Sequence, residues 1–109
     1  MAEPLEKAIT AKILKALELE GGYWRKIHGS PYQSGIPDII GCYRGVFVAF
    51  EVKRPSTRAN VTKAQEYAIN TINANGGYAS VVTSPDEAVE VLIRIEALVD
   101  SIPMDNRKT

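Results

Sequence analysis

Asp38, Glu51 and Lys53 stand where ionisable groups are unexpected, inside the two apolar runs of residues 35–55, GIPDIIGCYRGVFVAFEVKRP. Burying one unpaired charge costs on the order of several kcal/mol, so the three groups need a common explanation. The runs meet at Arg44-Gly45. If that pair is a two-residue turn, Tyr43 pairs with Val46, and Asp38 faces Glu51 directly across the ladder. Opposed Cβ atoms lie about 4.5–5.5 Å apart, close enough for two carboxylates to grip one cation; without a cation they repel. A bulge in place of the simple turn would remove the Asp38–Glu51 pairing, whereas Glu51 and Lys53 share a face in either case.

Two carboxylates with no histidine or cysteine beside them favour a hard ion held through oxygen, which predicts Mg²⁺ or Mn²⁺. Such an ion acidifies a bound water into a nucleophile suited to a phosphodiester. Lys53 is placed to orient that water or to stabilise charge on the phosphate, and Arg54 is a candidate phosphate clamp. The chemistry predicted is metal-assisted hydrolysis.

The elements that must hold this set are legible by period. Residues 3–20 carry Leu5, Ile9, Ile13, Ala16 and Leu17 at helical spacing, closed by Gly21-Gly22. Strands are predicted over 23–28, 37–43 and 46–53, with GSPYQSGIP as a loop between the first two. A second helix over 62–75 follows the polar RPSTRAN and stops at Gly76-Gly77; a fourth strand spans 78–83. Ser84-Pro85-Asp86-Glu87 combines a capping serine, a first-turn proline and a glutamate three residues on, so a third helix starts there and runs to about Val99. The expected order is αβββαβα, an α/β mixed sheet flanked by helices. Residues 1–100 form one domain in this reading and residues 101–109 a flexible tail.

At 109 residues and 45% hydrophobic composition, the chain can bury a core without disulfides, and Cys42 is its only cysteine. No apolar run is long enough to span a bilayer, and the N-terminus has acids where a signal peptide has bases, so a cytoplasmic protein is expected. Net charge is zero, but residues 21–63 hold seven bases and two acids, a local net of +5. That asymmetry predicts an electropositive face for phosphates, with Arg25, Lys26, Arg54, Arg58 and Lys63 as contacts.

Pro37-Asp38, twelve intervening residues and Glu51-Val52-Lys53 resemble the PD-(D/E)xK nuclease superfamily, whose restriction-endonuclease-like core is a mixed sheet in this order. Gly35-Ile36-Pro37-Asp38, the first helix carrying Glu6, and the small size are similar to stand-alone VRR-NUC (virus-type replication-repair nuclease) domains and to Holliday-junction resolvases. The resemblance covers roughly residues 3–95. It implies Asp38 and Glu51 as metal ligands, with Glu6 and the Val52 carbonyl as further ligands, Lys53 as the catalytic lysine and Gln65 as a supporting glutamine. It further implies a Mg²⁺- or Mn²⁺-dependent endonuclease acting on DNA, with junctions or flaps as substrates and a homodimer as the working form, in the host cytoplasm if phage-encoded.

Each residue also has a plainer reading. Asp38 suits a strand start after proline, Glu6 suits a helix N-terminus, and Gln65 fits a capping box with Thr62. His28, the only histidine, reads as a structural or surface residue, and Cys42 as a small packed hydrophobe. Tyr23, Trp24 and Tyr32 could stack on bases or fill the core. The competing function is a non-catalytic nucleic-acid binding module on the same fold.

Overall fold

In a computed structural model, whose described residues are 2–29 and 34–102, the elements follow the expected order. They are α1 (Glu6–Glu20), β1 (Tyr23–Lys26), β2 (Ile39–Tyr43), β3 (Val46–Val52), α2 (Lys63–Ala74), β4 (Tyr78–Val82) and α3 (Pro85–Asp100), with a 3-10 turn at Pro55–Thr57. The sheet runs β1-β2-β3-β4, antiparallel at its first two joins and parallel between β3 and β4. The 78–83 segment must therefore return beside β3 by a crossover, and α2 supplies it.

Arg44 and Gly45 both adopt positive φ, +53° and +82°, the mirror-image turn whose twist matches an antiparallel hairpin. It sets the pairing from Tyr43↔Val46 to Ile39↔Phe50, the expected register. An arginine in this conformation is uncommon, and it is anchored: Arg44 Nη2 lies 2.7 Å from Asp100 Oδ1 at the end of α3. Tyr43 beside it donates its hydroxyl to Glu96 Oε2 at 2.7 Å, so the hairpin tip is clamped to α3.

Alternation divides the sheet into two unequal faces. Ile39, Val48, Phe50, Val52 and Val82 pack with Ile9, Ile13 and Leu17 of α1 and Leu92 and Ile95 of α3 into the core. Each fully buried side chain of this kind contributes about 1.5–3 kcal/mol. Trp24 stacks near Phe50 and Tyr43, with ring centroids 6.2 and 6.4 Å away, and donates Nε1–H to the Gly21 carbonyl at 2.8 Å.

The opposite face is thinner. No residue of α2 is fully buried, and Tyr23, Cys42 and Phe47 are exposed on the uncovered side of β1–β3. The core reading for Tyr23 and the packed reading for Cys42 are corrected here, because α2 lies along β4 and leaves β1 and β2 open. Asn73 of α2 holds the outer edge of β4, accepting from Ala79 N–H at 2.8 Å and donating to the Ala79 carbonyl at 3.0 Å.

Several boundaries differ from expectation. β1 stops at Lys26, leaving His28 exposed beyond it, although Ile27 N–H still reaches the Asp38 carbonyl at 2.8 Å. Ser84 caps α3 by accepting from Glu87 N–H at 3.2 Å, but the Glu87 carboxylate turns to Thr83 rather than closing a capping box. Tyr32 and residues 103–109 of the expected tail lie outside the described residues. Among the described residues no helix is long and apolar enough to cross a membrane.

Candidate metal centre

Asp38 stands one residue before β2 and Glu51 one before the end of β3, so the hairpin register carries them to the same point from opposite directions. Pro37 is buried, and the chain enters the sheet at Asp38 with its carboxylate turned across the ladder. Asp38 Oδ2 accepts from Val52 N–H at 2.7 Å, a charge-assisted bond that fixes the side chain against β3. Glu51, only 4% exposed, faces Asp38 across the ladder, near enough for the two carboxyls to interact.

Burial pushes the Glu51 carboxyl up to about 8, helped by the hydrogen bond and the negative charge of Asp38; the Lys53 ammonium works in the opposite direction. Two opposed carboxyls in a buried place repel when both are ionised, a repulsion that a proton or a cation on the pair relieves. The donor set, two opposed carboxylates, fits a small hard divalent ion, which is often held by only one or two carboxylates.

Gln65 joins this pair from the first turn of α2. Its Oε1 accepts from Thr62 N–H at 3.0 Å, Thr62 Oγ1 accepts from Gln65 N–H at 3.1 Å, and its Nε2 donates to Glu51 Oε2 at 3.2 Å. Capping and support of Glu51 were expected as alternatives. One planar amide serves both at once.

α2 can approach because Gly35, at φ +85°, lies against it: a Cβ there would come within 2.7 Å of the Ala64 backbone. Ile36, Pro37, Ala64, Tyr67 and Ile72 line an apolar groove of about 370 Å³ along this contact.

Glu6 is exposed in the first turn of α1; its charge reaches Glu51 and pushes the same way as Asp38, the weakest of the influences. Among the described residues no three His, Cys, Asp or Glu side chains gather closely enough to hold an ion, so Glu6 stands apart from the Asp38–Glu51 contact. Lys53 follows β3 with its N–H bonded to the Val82 carbonyl at 3.0 Å.

The basic segment is more neutralised than its net of +5 implies. Arg44 pairs with Asp100, Arg54 with Glu3 and Arg58 with Glu87, each acid coming from outside residues 21–63. Arg58, expected as a phosphate contact, makes a two-pronged contact with Glu87 at 2.7 and 3.0 Å. Arg25, Lys26, Lys53 and Lys63 form no ion pair among the described residues. Of these, Arg25 lies on the open face of β1, paired with Ile40.

The Glu3 contacts have no signature in period or spacing, since their partners, Arg54 and Ser56, lie more than 50 residues away. No protein-family model and no curated protein matches the chain.

Proposed function

We propose that this chain is a divalent-metal-dependent endodeoxyribonuclease of the VRR-NUC type, acting in the cytoplasm on branched or junction DNA as a homodimer. The observation that carries this reading is the buried Glu51 carboxyl facing Asp38 across the hairpin, the one held by Gln65 and the other by Val52 N–H, with Lys53 two residues along the chain. A structural ion pair would oppose unlike charges, whereas this site opposes like ones. Such an arrangement is costly unless a cation is its working partner.

The chemistry a bound Mg²⁺ or Mn²⁺ supplies is an acidified water and a Lewis acid for a phosphoryl oxygen. Val52 N–H and the Gln65 amide hold Asp38 and Glu51 in fixed orientations before any ligand arrives. Lys53 carries an ammonium on the same face, suited to orient the nucleophile and to offset charge developing on the phosphate. Glu6 adds only its charge from outside the pair, and Arg25, Lys26 and Lys63 are phosphate contacts requiring no exchange of partner.

The test is cleavage of supercoiled plasmid and of labelled duplex, flap and four-way-junction DNA with Mg²⁺ or Mn²⁺. Cleavage is expected to stop on chelation and in Asp38→Asn, Glu51→Gln and Lys53→Ala. Full activity in any of these variants, folded by circular dichroism, would remove that residue from the site. DNA binding without turnover under every ion would favour the non-catalytic binding module instead. A monomer by light scattering at micromolar concentration would refute the stable dimer.

A further inference from the structure

The Glu3 carboxylate sits in a set of donors contributed by the connection after β3. Ser56 N–H donates to its Oε1 at 2.8 Å, Ser56 Oγ donates to its Oε2 at 2.6 Å, and Arg54 Nη2 lies 3.3 Å from Oε2. Those bonds hold the carboxyl below its usual range, the Ser56 hydroxyl first and the Ser56 amide next.

The guanidinium is poorly used in this arrangement. Its contact with Glu3 is longer than the about 2.7–2.9 Å of a good charge-assisted bond, and Arg54 Nε is shielded from water with no partner among the described residues. An arginine fork is suited to phosphate oxygens, and this half-buried pair, at 3.3 Å, is a weak hold on it.

Position adds a second argument. Arg54 directly follows Lys53, and three residues of extended chain put its Cα within about 10 Å of the Glu51 Cα. That is about three nucleotide rises along a stacked strand. Alternation turns the Arg54 side chain to the α1 side of the sheet, so a strand with one phosphate at the carboxylate pair reaches Arg54 and Ser56 by passing over the end of β3.

We propose that Arg54 and Ser56 form a seat for a nucleic-acid phosphate beside the cleavage site, filled in the free protein by the Glu3 carboxylate, which an incoming strand displaces. The inference rests on the endonuclease reading and adds an autoinhibitory N-terminal segment to it. Loss of the Glu3 charge favours a polyanion by itself, so the dependence of the gain on Arg54 is what marks Glu3 as the occupant of this seat.

The experiment is fluorescence anisotropy of labelled duplex and junction DNA with the full chain, once with chelator and once with Mg²⁺ in a Lys53→Ala background. Glu3→Gln is expected to tighten binding about fivefold, and Glu3→Ala to change it in the same direction. The gain should vanish when Arg54→Ala is added, and Arg54→Ala should lower the dependence of log affinity on log salt by about 0.9. Equal or weaker binding by both Glu3 variants, at unchanged melting temperature, overturns the inference and leaves the endonuclease reading intact. Absence of DNA binding in both arms overturns the two together.

Discussion

Glu51→Gln tests the proton-sharing pair without any substrate. The amide has the shape of the protonated carboxyl: its NH₂ can donate to Asp38, and its oxygen can accept from Gln65 Nε2, as Glu51 Oε2 does. The variant is locked in the form that the buried site prefers. In the wild type, raising the Glu51 carboxyl from 4.5 to about 8 means that the folded state binds a proton that the unfolded chain releases across this window. Stability is then fully present below pH 4.5 and is lost as pH rises through about 8, with a slope of about 1.4 kcal/mol per pH unit.

The full shift corresponds to roughly 5 kcal/mol, a large share of the about 5–15 kcal/mol that holds a domain together. Urea unfolding of both proteins with chelator, from pH 4.5 to 9, should show curves that coincide at the acid end and diverge until the variant is several kcal/mol more stable. Adding Mg²⁺ or Mn²⁺ at pH 8 should restore the wild type, by about 2.7 kcal/mol at a hundredfold excess over Kd, and leave the variant unchanged. A gap below about 1 kcal/mol at pH 9 would refute the buried protonated carboxyl. Equal metal stabilisation of both proteins would refute Glu51 as a ligand.

Gln65→Ala removes the α2 cap and the Glu51 support together and should cost about 1–2 kcal/mol by urea unfolding. Gln65→Glu keeps the cap but brings a further carboxylate to Glu51, so its cost should be larger at pH 8 than at pH 5. Gly35→Ala should lower stability by at least about 1 kcal/mol, because the new Cβ meets the Ala64 backbone at a positive φ; a melting temperature equal to the wild type would refute that packing. The Tyr43 phenol donates to the Glu96 carboxylate and is held above its ordinary range. An absorbance titration should therefore show one tyrosine ionising late, and Glu96→Gln should bring it down.

The hairpin was legible because two local signals agreed. Alternation gave the faces, and Arg44-Gly45 gave the turn that fixes which residues oppose each other. The start of α3 was legible in Ser84-Pro85 for the same reason, since a cap needs only its neighbours. Contacts made by docking were not legible. Arg58 is claimed by Glu87 and Arg54 by Glu3 only because α3 and the N-terminal segment settle against the connection after β3. A count of charges along the chain cannot register such pairing, and it overstated the basic face. Tyr23 and Cys42 were misread because periodicity names a face without saying whether a helix covers it.

The double use of Gln65 makes α2 an indicator of events at the acids. With no fully buried residue, α2 has less burial to hold it than α1 or α3. A single amide ties its first turn to Glu51, so any change in how that carboxyl is held is felt at Thr62 N–H. Exchange of that one amide hydrogen with deuterated solvent would slow when the site is filled and quicken when it empties, reporting occupancy from a position that touches no ligand.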